Sequence, residues 1–295
     1  MSLSSETLRI IAKAGRMDKV VNRLFQQPPR NTGEMNVEKF DKRLQLDEWS
    51  VEGHRVVTAN MTAKKEDSPD RHVIMLHGGA YTVEASYSHR KIMETLAIDC
   101  RLKVSFIDYP LAPENTAKTT LRIVLQAYQE ICRRNEGDQF YLFGDSAGGG
   151  LALALLQMLR DQGIKPFPEK TALVSPWVDV TMSSKRVKEA KRLDPILPVQ
   201  GLIEAGKKYA GDMDPRDPLI SPLFGKLENL GQILLLVGTH EVLLPDCELL
   251  DRVLSNAEGS SVEFHIADRM VHDWVAMPIK EARETILQIG RYYTH

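Results

Sequence analysis

Phe140-Tyr-Leu-Phe-Gly-Asp-Ser-Ala-Gly-Gly149 is the stretch from which the rest of the chain can be read. A hydrophobic run, Phe140–Phe143, enters Gly144-x-Ser146-x-Gly148, and a segment rich in Ala and Leu, Ala147–Arg160, follows at once. The first reads as a buried strand and the second as a helix. A serine on so sharp a strand-to-helix turn is pushed out at the top of a sheet, where its hydroxyl can react. Phosphates are also cradled by glycine-rich helix starts, but the G-K-[ST] of a P-loop is missing. Ser146 is therefore a candidate nucleophile.

Working outward, Val73–Leu76 is a second short apolar run, and Leu76-His77-Gly78-Gly79-Ala80-Tyr81 leaves it. Acyl transfer needs N–H donors aimed at the oxyanion that forms on the attacked carbonyl, and adjacent glycines let the backbone present them. Gly79 and Ala80 are candidate donors with Gly78 shaping the loop, and the N–H of Ala147, just after the serine, is a third. Further β-rich runs stand at Val104–Ile107, Ala172–Val174, Ile233–Val237 and Val262–Ile266, with helical patterns such as Leu121–Arg134 between them and Ile279–Tyr293 at the end. Short, wholly apolar strands alternating with helices predict an α/β fold: a mostly parallel central sheet with helices on both faces. Lys42–Val51 and His54–Met61, with Glu52-Gly53 between them, read as a hairpin ahead of it.

Two segments break the rhythm. Residues 1–40 are polar and helical in pattern up to Pro28-Pro29, and residues 180–218 carry Lys and Arg clusters, four prolines and a helical piece around Gly201–Tyr209. An insertion between sheet strands usually sits above their C-terminal ends, where open α/β sheets hold ligands. The expected division is N-terminal cap helices in 1–40, a catalytic core in 41–179 and 219–295, and a cap insertion in 180–218.

Composition excludes several classes. Net charge is −2, with no basic stripe, so no nucleic-acid partner is expected. No segment approaches the ~18 apolar residues of a membrane span, and Arg9 and Lys13 interrupt the apolar stretch near the N-terminus as a secretory signal would not. Cys100, Cys132 and Cys247 are odd in number and lack metal-ligand spacing, which favours reduced thiols in a cytoplasmic setting. His240-Glu241 does not begin an H-E-x-x-H zinc motif, because Leu244 stands where the second His belongs.

The motifs around Ser146 and Gly78 together resemble the hormone-sensitive-lipase-like esterases of the α/β-hydrolase superfamily. Asp108-Tyr-Pro-Leu-Ala-Pro-Glu114, Ser175-Pro-Trp-Val-Asp179 and Asp217-Pro-Leu-Ile-Ser-Pro-Leu223 are similar to that family's D-Y-R-L-A-P-E, S-P-W-x-D and D-P-x-x-S-P-L segments. The resemblance implies the α/β-hydrolase fold with a helical cap. It also implies that His272, in His272-Asp273-Trp274, is the general base and Glu241, in Gly238-Thr-His-Glu-Val-Leu243, the orienting acid. Ser, acid, His is the chain order such enzymes require. The family's acid is usually Asp, which leaves Asp246, five residues on, as a competitor. Asp246 would otherwise cap a helix over Cys247–Asn256. Ala80 stands for the third glycine of H-G-G-G and Pro110 for an arginine.

The implied activity is hydrolysis of short-acyl carboxylic esters through an acyl-enzyme, with no cofactor or metal. A homodimer is a family-based expectation. Rivals are an amidase or peptidase using the same three residues, and a non-catalytic ligand-binding protein on a hydrolase scaffold, which the presence of His272 disfavours. An unperturbed His titrates near ~6.5, so activity should fall as pH drops through about 6 to 7.

Overall fold

The structure is a computed structural model that describes residues 5–61 and 70–295, apart from the side chains of Ser5 and Leu8. Residues 1–4, where the expected N-terminal cap segment begins, lie outside the described residues. Eight strands are described: β1 (Leu44–Val51), β2 (His54–Met61), β3 (Arg71–Leu76), β4 (Lys103–Ile107), β5 (Gln139–Asp145), β6 (Lys170–Val174), β7 (Gly231–His240) and β8 (Ser260–Val271). They form one sheet in the order β1-β2-β4-β3-β5-β6-β7-β8. β1 and β2 make the antiparallel hairpin, turning at Glu52 and Gly53, both with positive φ as a tight two-residue hairpin turn demands. β2 pairs antiparallel with β4, and the pairings from there to β8 are parallel.

The order reverses at β3, which has β4 on one side and β5 on the other. The chain leaves β3 in one direction and returns on the opposite side as β5. A crevice opens above such a switch point, at the strands' C-terminal ends. Gly78 and Ser146 follow β3 and β5 directly, so topology alone sets them side by side.

The helices are α1 (Ser5–Ala14), α2 (Met17–Gln26), α3 (Tyr87–Ile98), α4 (Ala117–Arg134), α5 (Ser146–Asp161), α6 (Val187–Ala190), α7 (Val199–Ala210), α8 (Leu244–Leu254) and α9 (Lys280–Thr294). Strand side chains alternate between two apolar layers. Ile74, Leu76, Phe140 and Leu142 pack with α4, α5 and α8, whereas Val73, Met75, Tyr141 and Phe143 pack with α3 and α9. Both faces of the sheet are thus covered, and this is why its strands read as continuous apolar runs.

α2 packs against α7, which lies in the inserted stretch. The chain beyond α2 is tied to the core by Arg30, whose guanidinium donates to Thr82 O at 2.6 Å, Ala112 O at 2.9 Å and Glu114 at 2.7 Å. Three elements differ from expectation. β8 runs beyond Val262–Ile266 at both ends, because this edge strand alternates exposed and half-buried positions and its polar half carries no apolar signal. α8 begins at Leu244 with Pro245 in its first turn, so Asp246 lies inside the helix and is not its cap. α3 was not anticipated, because its buried face carries His89, Arg90 and Glu94 among the apolar residues.

Candidate active site

Ser146 has φ 49°, a left-handed conformation that is uncommon outside glycine. It holds that conformation where β5 breaks into α5, and backbone strain of this kind persists only where its surroundings impose it. The motif glycines make the turn sterically possible. A Cβ on Gly144 would collide with Gly148 O, and one on Gly148 with Leu76 O of the neighbouring strand. Ser146 is only 7% exposed.

His272 comes from the loop after β8, and its Nε2 is 3.0 Å from Ser146 Oγ. Its Nδ1 is 2.9 Å from Glu241 Oε2, beyond the end of β7. A ring nitrogen facing a carboxylate carries its proton, so Nδ1–H donates to Glu241 and Nε2 is left to accept from the serine hydroxyl. Glu241 is itself fixed through Oε1, which accepts from Ser175 Oγ at 2.8 Å and from Gly238 N–H. Burial alone would lower the His272 pKa, but the Glu241 hydrogen bond and charge outweigh it and hold it at about 9. The acid limb expected at pH 6 to 7 from an unperturbed imidazole therefore moves upward.

Asp246 is not brought to His272. It is buried in α8 with no partner for Oδ2 among the described residues, and burial, then the charge of Asp179, pushes its pKa up to about 7.

The loop after β3 divides into a brace and a set of open donors. Gly78 N–H donates to Asp145 Oδ2 at 2.9 Å, so it shapes the loop and is not free for substrate. The N–H groups of Gly79, Ala80 and Ala147 meet no acceptor among the described residues. Ala147 lies in the first turn of α5, where helix geometry leaves N–H groups unpaired. Ala80 has φ 52°, so the loop keeps the path of its glycines without the third one. Tyr81 stacks on Tyr209 of α7 with ring centroids 3.7 Å apart and on Trp177 at 5.7 Å, fixing the loop to the inserted stretch. His77 stacks on Tyr109 at 4.3 Å and pairs with Gly78 O at 2.6 Å. Burial, then the nearby His89, lowers its pKa to about 3, so it is a neutral prop.

A family model described as the alpha/beta hydrolase fold matches residues 73–276. An esterase of Acinetobacter venetianus is 32% identical over 241 residues, covering 78% of this chain and 77% of its own. The chain belongs to the α/β-hydrolases. An acetyl-hydrolase of Streptomyces hygroscopicus is 33% identical over 205 residues, 69% of this hydrolase and 68% of that protein. Among solved structures, a hormone-sensitive lipase from a metagenome library superposes with a TM-score of 0.86 at 25% identity, covering 100% of this chain and 99% of that one. An esterase from the bacterial hormone-sensitive lipase family superposes with a TM-score of 0.79 at 27% identity, over 95% and 97%. The hydrolase is of the carboxylesterase kind, in the hormone-sensitive-lipase-like branch.

Around the motif residues the hydrolase places several groups that the sequence did not single out. Asp194, in the inserted stretch, accepts from Ile196 N–H at 2.6 Å, Leu197 N–H at 2.8 Å and Val242 N–H at 2.9 Å. It thereby fastens the insertion to the residue after Glu241. His89, from α3, faces Asp145 Oδ2 at 3.1 Å, and its only local sign is the capping box it makes with Ser86. No helix among the described residues is long and apolar enough to cross a membrane.

Proposed function

We propose that this hydrolase cleaves short-acyl carboxylic esters through a covalent intermediate on Ser146. The hydrogen-bonded series from Ser146 through His272 to Glu241, at the turn where β5 enters α5, carries the reading. His272 Nε2 takes the hydroxyl proton as Ser146 Oγ attacks the ester carbonyl. The carbonyl oxygen becomes an oxyanion, and the N–H groups of Gly79, Ala80 and Ala147 receive it, with Gly78 shaping the loop from below. His272 then hands its proton to the departing alkoxide, which leaves as the alcohol. Water attacks the acyl-enzyme with the same base, releasing the acid and restoring the serine. Glu241 holds the imidazole in the tautomer this needs and stabilises the imidazolium.

The acetyl-hydrolase among the relatives, and an ethyl acetate hydrolase of Pseudomonas putida at 28% identity, favour small acyl groups. The stretches around α1 and α2 and around α6 and α7 act as the cap, in the division 1–40 and 180–218. A cytoplasmic setting belongs to the same reading, supported by the free thiols of Cys100, Cys132 and Cys247. So does a homodimer, which light scattering checks.

The test is a series of p-nitrophenyl esters of graded acyl length, with p-nitroanilides in parallel. We expect kcat/KM to be highest for acetyl to butyryl esters and low for anilides. A maximum on anilides, or on acyl chains of about ten carbons or more, would refute the substrate class; retained turnover in Ser146→Ala would refute the mechanism.

A further inference from the structure

Asp145 and Asp273 stand immediately before Ser146 and immediately after His272, and the reaction just described uses neither as acid or base. Their carboxyl groups meet beneath it. One oxygen of each, and one ring nitrogen of His89, lie within 4.8 Å of one another. Asp145 Oδ2 is occupied, accepting from Gly78 N–H at 2.9 Å and facing His89 Nε2 at 3.1 Å. Asp145 Oδ1 and Asp273 Oδ1 are both shut off from solvent, and neither has a donor among the described residues. Two carboxylates this close, each with Oδ1 shut off from solvent, disfavour double ionisation and favour a proton on one of them. That proton is the donor that both orphaned oxygens lack.

We propose that Asp145 and Asp273 share one proton while His89, a neutral imidazole because its Nδ1 accepts from Ser86 N–H at 2.9 Å, donates Nε2–H to Asp145, and that this trio is the clasp that positions the His272 loop against the Ser146 turn and the oxyanion loop. This rests on the reading of Ser146 and His272 as the reacting pair. All three are positioning residues, and His89 and Asp273 come from segments far apart in the chain.

The electrostatics point the same way. Burial, then the Asp145 charge, raises the Asp273 pKa well above the carboxylate range. Burial would also raise Asp145, but His89 beside it and the N–H groups of Gly78 and His89 Nε2 aimed at Oδ2 outweigh burial and hold its pKa below the usual value. Against burial, Asp145 pulls the His89 pKa upward, but Ser86 N–H occupies Nδ1, so the ring stays neutral with its proton on Nε2. The other titratable groups facing the trio are His77 after β3, Tyr109 after β4 and His272 beside Asp273. His77 and Tyr109 are both kept neutral by burial. When alkali removes the shared proton, two carboxylates repel across the clasp, the His272 loop is driven from Ser146, and kcat falls while KM changes little.

Infrared difference spectroscopy of the folded enzyme against Asp273→Asn reads the proton directly. At about pH 8, far above the ~3.9 of an ordinary Asp, the parent should show a protonated-carboxyl carbonyl band that Asp273→Asn lacks. Asp145→Asn, which leaves Asp273 without its partner, should lack the same band and serves if the first variant does not fold. In kinetics, Asp273→Ala has no donor and should lose about 10- to 100-fold in kcat, the equivalent of one hydrogen bond to a charged group. Asp273→Asn restores a donor, so it should recover most of that loss and abolish the alkaline fall. A parent spectrum without the band, or an Asn variant with the parent's alkaline limb, overturns the clasp. The band does not depend on turnover, so a failure of the Ser146 mechanism would leave it in place.

Discussion

Glu241 and Asp246 are both buried acids on one short piece of chain, but only Glu241 has donors on both oxygens. Glu241→Ala should therefore lower kcat by roughly 10⁴-fold, as loss of the orienting acid does in a well-studied triad, and also lower the melting temperature, because Ser175 Oγ–H and Gly238 N–H lose their acceptor. Asp246 behaves in the opposite way. Its folded pKa of about 7 lies above that of the unfolded chain. Between about pH 4 and 7 the unfolded state then binds fewer protons, and stability declines as pH rises. Asp246→Asn removes that decline. Its melting temperature should exceed the parent's at pH 8 by more than at pH 5, with kcat within a few-fold; loss of turnover in this variant would instead make Asp246 the acid. The His272 pKa of about 9 makes a further prediction, since only neutral imidazole accepts the serine proton. kcat/KM should rise from pH 6 towards 9, and a plateau already reached at pH 7 would show that Glu241 does not hold the imidazolium as strongly as this geometry implies.

At the level of elements, the central strands were legible because both faces of the sheet are covered there, which turns β3 to β7 into largely apolar runs with turn residues at their ends. α5 was legible for the same reason, its long apolar stretch following a glycine-rich turn. α3 was not, because Arg90 and Glu94 point inward and break the helical pattern. Their burial rests on partners distant in sequence: Arg90 donates to Lys39 O and lies over the Phe40 ring at 5.9 Å, and Glu94 accepts from Asp41 N–H at 3.1 Å. Asp194 was hidden likewise, since its distinguishing contact is with Val242, 48 residues on. Its carboxylate satisfies three backbone N–H groups, at roughly 1.5–3 kcal/mol each for bonds to a charged group before relaxation. Asp194→Ala should lower the melting temperature by several degrees and reduce kcat, as the loop bearing Glu241 loosens. Unchanged kcat with reduced stability would limit Asp194 to holding the insertion in place.

Across the whole molecule, the motifs that resemble the hormone-sensitive-lipase-like esterases fall in chain order, and the sheet gathers them at one end. The proposed nucleophile and oxyanion loop are legible in sequence because each is tied to a local turn, and the proposed base His272 through the motif that resembles the family's. The clasp under them is not, since Asp145 and Asp273 read only as flanks of the motifs around Ser146 and His272, His89 belongs to no motif, and the three meet only when β5, the loop after β8 and α3 are packed. The order reversal at β3 is the global feature that makes the site, setting the loop of Gly79 beside the turn of Ser146. If that arrangement carries an acyl-enzyme, the acyl group must be found on one side chain. The measurement is acid-quenched turnover of p-nitrophenyl acetate followed by peptide-mapping mass spectrometry. The prediction is a single acetyl group on Ser146, absent from Ser146→Ala, whose kcat is lower by about 10⁶-fold. An acetyl group on any other residue, or parental turnover in Ser146→Ala, would contradict it.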